Sequence, residues 1–429
     1  MAKKMLFLFV LLLSLTGMLK AQVTTAGMSG KVVADEEAVI GATVVAVHEP
    51  SGTSYGAVTN IDGRFSLQGM RSGGPYKVTV SYVGYQTAIY TGIQLQLGET
   101  YSLNVTLHEA SELLGEITIT ASKSKFSAEK TGATTNVSSE QLTTLPSINR
   151  SISDFTRISP YASGNNFGGR DGRSNTFTVD GANLNNNFGL SSNLPGGGNP
   201  ISLDAIDEVQ VVIAPYDVRQ ANFIGAGINA ITKSGTNAYR GSAYMYFNNE
   251  VMRGNKIGNT DFGARAEESK TVYGATLGGP IIKDKLFFFA NVEYEKSPQQ
   301  VVKWRAAQEG ETPNNSTISR ATAADMVEFS QILKDKYGYD TGSFTNFPAN
   351  ITNLKLLGRI DWNIDKGNKL SVRYNFTNNK TWNAPNGSSG NTGYRLAYDR
   401  VSQYSMSYAN SCYSCLLYTS PSPRDRSLS

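Results

Sequence analysis

Two consecutive stretches late in the chain alternate in polarity with a period that no helix can satisfy. Leu354, Leu356, Ile360, Trp362 and Ile364 hold even positions, while Lys355, Arg359, Asp361 and Asn363 hold odd ones. Leu370, Val372, Tyr374 and Phe376 then alternate with Ser371, Arg373, Asn375 and Thr377. A period of two sends each set to its own face of a β-strand. Asp365-Lys366-Gly367-Asn368 joins the pair as a tight turn, with Gly367 able to take positive φ. The pattern predicts a hairpin with one apolar and one charged face.

Connection lengths say what kind of sheet would hold it. Strands are predicted near 239–248, 270–277 and 286–296, on the two stretches above, and near 394–408. The links between them run long, short, long, short, long, the longest covering 297–351. Long outer loops alternating with short inner turns are the rule in outer-membrane β-barrels. Tyr244, Tyr246, Tyr294, Trp362, Tyr374 and Tyr408 fall near strand ends or on the apolar face, as the aromatic girdle of a barrel requires. The competing explanation is an aromatic-rich soluble sandwich. The first strand does not alternate cleanly, so its facing stays unassigned.

The N-terminus agrees with an envelope protein. Lys3 and Lys4 precede an apolar run from Met5 to Leu15, and Ala21-Gln22 offers a cleavage point. The run is too short to cross a bilayer as a helix, so 1–21 reads as a secretory signal peptide. A net charge of +4 gives no reason to expect a nucleic-acid partner. Only His48, His108, Cys412 and Cys415 are present of their kinds, which leaves little for His-based catalysis or a Cys/His metal site. No cofactor is expected.

Between signal and barrel lie two further blocks. In 26–108, short β-type runs are punctuated by Gly turns, among them Asn60-Ile61-Asp62-Gly63, and predict a small antiparallel sandwich. Gly30-x-Val32, Ile40-Gly41-Ala42-x-Val44, Thr59-x-x-Asp62-Gly63-x-Phe65-x-Leu67 and Tyr76-x-Val78-x-Val80-x-x-x-Gly84-Tyr85 together resemble the carboxypeptidase-regulatory-like domain. That resemblance implies a seven-stranded transthyretin-like or Ig-like sandwich. Despite the family's title, the block has no zinc ligands and no general acid or base in a recognised spacing, and no enzyme is expected.

The block 131–237 mixes helix and strand. Ser138-x-x-Gln141 is a capping-box signal, 153–158 can be helical, 161–200 is a Gly/Asn-rich loop, and strands are predicted at 208–213 and 227–232. Three phrases resemble the plug of TonB-dependent outer-membrane receptors. They are Arg170-x-x-Arg173-x-Asn175-x-Phe177-x-Val179-Asp180-Gly181, Ile206-Asp207-Glu208-Val209-Gln210-Val211, and the tract from Gly225-Ala226-Gly227 to Thr236-Asn237. The resemblance implies a mainly-β protein: sandwich, α/β plug, and over 238–410 the first ~6 strands of an antiparallel transmembrane barrel, which in plugged transporters has about 22. It also implies energised uptake of an unidentified ligand across the outer membrane, with the sandwich in the periplasm. Its partners would be TonB of the TonB–ExbB–ExbD complex, outer-membrane lipid and a surface lipoprotein.

Site residues follow from the same resemblance. The TonB-box candidate is Glu116, Ile117, Thr118, Ile119, Thr120 and Ala121, on the linker 109–130. An extended β-branched stretch of this kind can add as a strand to a partner's sheet. The alternative is another strand of the sandwich or plug. Arg170, Arg173, Asn185 and Asn187 are the plug-loop ligand candidates. Their alternatives are ordinary solvated loops or, for the arginines, salt bridges to barrel-wall acids. The tract 173–182 and Pro215-Tyr216-Asp217-Val218-Arg219 resemble Oar-like receptors more than SusC-type glycan importers, and the linker lacks the Gly-Tyr-Gly of the latter.

Past 410 the alternation stops, and 411–429 resembles a translated sequencing adapter, so Cys412-x-x-Cys415 is not counted as a redox or metal pair. So few barrel strands cannot close around a plug, and the polypeptide as written is not expected to insert. The alternative function is a secreted adhesin or scaffold with a sandwich module ahead of a soluble β domain.

Overall fold

The computed structural model describes residues 24–109, 117–120, 133–144, 147, 150–184, 199–215, 220, 223–261, 268–300, 305–313, 318–341, 348–365, 369–383, 403–414 and 418–419. The signal segment 1–21, Glu116, Ala121, Asn185, Asn187 and the turn residues 366–368 lie outside the described residues.

The N-terminal sandwich contains β1 (Ala26–Ala34), β2 (Glu37–Ala38), β3 (Thr43–His48), β4 (Thr53–Val58), β5 (Arg64–Met70), β6 (Gly73–Ser81), β7 (Ala88–Leu95), β8 (Thr100–Ser102) and β9 (Val105–Leu107). One sheet gathers β2, β5, β8 and β9 around β1; the other runs β7-β6-β3-β4 and is extended beyond β7 by β10 (Ile117–Thr120). Strands form here because apolar residues alternate: in β6, Tyr76, Val78 and Val80 are buried while Lys77 is exposed. Gly63 turns at φ +71°, as its Asn60-Ile61-Asp62-Gly63 context predicts. The domain has nine strand segments against the seven expected. Part of the excess is a break between β8 and β9 where the Leu103 carbonyl crosses Gly30, so closely that a Cβ on Gly30 would lie 1.8 Å from that oxygen.

The segment expected as the plug, and called so below, follows: β11 (Thr134–Ser138), α1 (Ser139–Thr144), α2 (Ile152–Thr156), β12 (Ala162–Ser163), β13 (Asn166–Phe167), β14 (Thr176–Val179), β15 (Ala182–Asn183), β16 (Ile206–Val212) and β17 (Gly227–Thr232). Its main sheet has the order β11-β16-β17-β14-β15. The Gln141 side chain accepts the Ser138 N–H at 3.0 Å, which seats α1 where the capping signal predicts a helix. α2 begins one residue before the expected 153 because Ser151 caps it, in a box with Asp154.

The third sheet contains β18 (Arg240–Asn249), β21 (Ser269–Ile282), β22 (Leu286–Gln300), β25 (Pro348–Asn363), β26 (Lys369–Asn383), β27 (Gln403–Ser414) and β28 (Tyr418–Thr419), paired in that order. Between them, β19 (Lys256–Ile257) pairs with β20 (Thr260–Asp261), and β23 (Arg305–Ala307) pairs with β24 (Ile318–Thr322). The strand expected at 394–408 lies later, at Gln403–Ser414. The long third connection also holds a helix, α3 (Ala323–Tyr337), that the polarity pattern does not reveal. Its ends are nonetheless written locally: Thr322 and Asp325 form a capping box, and Gly338 closes it at φ +63°.

Candidate functional site

The strand alternation resolves into two environments of unusual polarity. Lys355, Arg359, Asp361, Arg373, Asn375 and Thr377 are buried, while Leu356, Ile360, Trp362, Val372 and Tyr374 on the opposite face are 36% to 47% exposed. Registers carry this facing across the sheet. Asp361 pairs with Phe287, Lys355 with Glu293, and Glu293 with Gly274, itself opposite Tyr244. The facing of β18 is thereby assigned: Tyr244 lies on the inner face, Met245 and Phe247 on the outer.

The inner face is filled by the plug. Phe289 of β22 and Leu357 of β25 enter the same apolar cluster as Phe155, Phe177, Ile206 and Val209 of the plug. Around that contact the buried charges are matched. The Lys355 ammonium donates to Glu293 at 2.8 Å, and Glu293 also accepts the hydroxyls of Ser202 at 2.8 Å and Tyr244 at 2.9 Å. Arg359 donates to both oxygens of Asp361, at 2.7 and 3.0 Å, and to the Thr232 carbonyl of β17 at 2.6 Å. Thr232 in turn donates its N–H and hydroxyl to Asp180, which also faces Arg373 at 3.5 Å. Asp180 sits at φ 49° beside Gly181 at φ 86°, a two-residue turn with both positions left-handed, closing the β14–β15 hairpin. One residue thus makes a plug turn and anchors the barrel wall.

A second set of contacts clamps the sandwich beneath both. Arg71 reaches Asp361 at 3.5 Å and lies over the Phe287 ring. Asn363 donates to the Thr53 hydroxyl at 3.0 Å, and Asn237 donates its N–H to the Pro50 carbonyl at 2.8 Å. Thr53 continues inward through Ser51 to His48, whose ring is held neutral by burial and by Arg71, its pKa lowered to about 3. On the plug side the turn after β7 is gripped. Both Glu208 oxygens accept the Leu97 N–H at 3.2 Å, Gln210 donates to the Leu97 carbonyl, and Asn136 donates to the Gln96 side chain at 3.3 Å. Burial pushes the Glu208 carboxyl up to about 7.

The sequence candidates fall unevenly on this frame. Ile117–Thr120 forms β10, parallel to β7 with Ile119 opposite Tyr90 and Thr120 opposite Thr91. Arg173 does not reach a barrel-wall acid. It pairs within its own loop with Asp171 at 2.9 Å, and that hydrogen bond holds the Asp171 carboxyl below its usual range. Arg170 is exposed, its N–H donating to the Phe167 carbonyl. The wall acids are met instead by Arg150, Lys355, Arg359 and Arg71. The signal for the barrel cations was their placement at odd positions in otherwise apolar strands. Arg71 and Arg150 carried no comparable signal.

Residues 27–108 match the carboxypeptidase regulatory-like domain, and residues 231–415 match the outer membrane beta barrel domain. The chain is 25% identical over 347 residues to the TonB-dependent transporter Oar of Myxococcus xanthus, an alignment covering 76% of this chain and 30% of that protein. The chain therefore spans about a third of the length of this curated relative. Among solved structures it is similar to the siderophore receptor PirA of Acinetobacter baumannii, at 18% identity and a TM-score of 0.40, covering 65% of this chain and 37% of that one. It is also similar to the outer membrane transporter YddB of Escherichia coli, at 13% identity and a TM-score of 0.38, covering 59% and 34%. The chain joins a carboxypeptidase regulatory-like domain to an outer membrane β-barrel domain, and it is a homologue of the TonB-dependent transporter Oar.

Proposed function

We propose that this chain is the front part of an energised outer-membrane importer. The observation that carries the reading is the inverted barrel sheet: charged residues buried against a plug, apolar ones bare on the other face. A soluble protein would lose by that arrangement, whereas a bilayer rewards the outer face and a filled lumen satisfies the inner one. The partner supplying energy is TonB of the TonB–ExbB–ExbD complex, and its contact on this chain is Glu116–Ala121, centred on β10. An extended strand at a sheet edge suits capture by main-chain hydrogen bonding. The chain carries out transport rather than catalysis, and the ligand is unidentified. Plug-loop residues Arg170, Arg173, Asn185 and Asn187 are its first candidate contacts, Arg173 the weakest because Asp171 already engages it. A surface lipoprotein remains a candidate partner outside the barrel.

The test uses the purified periplasmic domain of TonB from the same cell as probe. Ile119→Pro removes a main-chain donor and should weaken its binding at least ~10-fold. Equal binding by the parent chain and the variant would refute the box assignment.

A further inference from the structure

The linker strand does not stand alone. β10 is the end strand of a sandwich sheet, paired along one side with Ala88–Thr91 of β7. Among the described residues its other side has no neighbouring strand. It therefore presents a row of backbone donors and acceptors while still attached to the domain. The far end of the same β7 runs into the Gln96–Leu97 turn, which plug residues Glu208, Gln210 and Asn136 grip. A continuous path thus runs from β10 across the β7 ladder to β16, the second strand of the plug sheet.

The covalent connection from β10 to β11 runs through residues 121–133, so the β7 ladder and the Leu97 grip form a second, non-covalent route from β10 to the plug sheet.

We infer that the energising partner adds its strand to the outer edge of β10 while β10 stays on β7, so that the sandwich domain is the handle through which the plug is moved. This rests on the reading of β10 as the TonB contact. The regular alternative is that β10 leaves the sandwich and pairs with its partner as a free segment.

A disulfide staple separates the two. Thr91 and Thr120 are register partners on adjacent strands, about 4.8 Å apart by strand spacing and within disulfide reach. The variant is Thr91→Cys with Thr120→Cys, in a background of Cys412→Ser and Cys415→Ser. Binding of the TonB periplasmic domain is compared for the oxidised and reduced forms of this one protein. The inference expects affinities within about twofold. A loss of about tenfold or more on oxidation, reversed by reductant, overturns it. Hydrogen exchange on the unsubstituted chain gives an independent reading: amides of 88–91 should keep their protection when the TonB domain binds, and their deprotection would overturn the inference. Should Ile119→Pro leave binding unchanged, it is the box reading that fails instead.

Discussion

The sandwich and the barrel sheet obey the same alternation and use it in opposite senses. In β6 the apolar members Tyr76, Val78 and Val80 are buried and Lys77 is exposed. In β25 the charged members Lys355, Arg359 and Asp361 are buried, and Leu356, Ile360 and Trp362 are exposed. A period of two therefore specifies a strand and nothing about its surroundings; what lies against each face decides which set goes in. In the sandwich the second sheet covers the apolar face and the hydrophobic effect closes it. In the barrel sheet the covering body meets the charged face with polar groups, among them Ser202, Thr232 and Asp180, beside its apolar cluster. Charge pairing does there what apolar packing does in the sandwich.

The largest effect should come from putting the barrel's chemistry into the sandwich. Val80→Asp buries an unpaired carboxylate where Val80 is now 0% exposed, a cost of several kcal/mol that a small domain does not survive. Limited proteolysis should cut 26–108 rapidly while the remaining segments persist. A sandwich that stays resistant would mean its interior tolerates charge as the inner face of the barrel sheet does. The reverse experiment is Arg359→Ala, which removes the guanidinium shared by Asp361 and Asp180 and leaves Asp361 with Arg71 and Asp180 with Arg373, each at 3.5 Å. Breaking a buried pair this way costs about 3–5 kcal/mol, measurable as a lowered denaturation midpoint of the barrel–plug unit. Removing Arg359 and Asp361 together should cost less than Arg359→Ala alone, because the buried Asp361 carboxylate then goes with its bidentate partner.

Next in size is the contact between the sandwich and the plug that covers the barrel sheet. Glu208 is 6% exposed and its carboxyl is raised from 4.5 to about 7. A carboxyl with a raised folded pKa binds its proton more tightly in the fold than in the unfolded chain. Its stabilising contribution is full below pH 4.5 and is lost as pH rises through 7, a change on the order of 3 kcal/mol. The docked sandwich should accordingly loosen between pH 5 and pH 8, read as faster exchange of the Leu97 amide. Glu208→Gln keeps an acceptor for that amide without the charge, and should flatten the pH dependence while tightening the contact at pH 8. A persistent pH slope in the variant would place the titrating group elsewhere.

The sequence carried the element types well and the contacts between bodies poorly. The hairpin at β25–β26, the plug strands β16 and β17 and the Gly63 turn are local patterns, because period, capping and turn chemistry act over a few residues. The sheet's facing at β18 was not local. Tyr244 to Phe247 show no clean alternation, and only the register with β21 and β22 assigns Tyr244 to the inner face. The site was legible in part. Ile117–Thr120 was visible as an extended stretch, but its partner β7 lies more than twenty residues upstream and leaves no mark in the linker. Arg71 looks like any loop arginine until Asp361 is placed beside it. Asp171, two residues before Arg173, is close enough in sequence to be noticed as its partner, whereas the expectation there is a ligand contact, with a solvated loop or a salt bridge to a barrel-wall acid as alternatives.

The smallest effect is the one that ties the comparison to its solvent. Ile360 is 47% exposed on the outer face of β25, four residues before the strand gives way to its inner turn. In water an isoleucine so placed contributes little, and Ile360→Lys would be nearly neutral or slightly favourable. Against lipid the same change buries a charge in the bilayer, costing about 2–4 kcal/mol at the midplane and falling to about 0–1 near the interface. Position this close to the strand end predicts about 1 kcal/mol, softened because a lysine can reach back to the headgroups. A chain carrying a complete barrel domain, refolded into vesicles and titrated with denaturant, should show that loss. Leu356→Lys, four residues deeper into the strand, should cost more. Equal and negligible losses at both positions would return the apolar face to water, and with it the soluble β domain as the better account of this sheet.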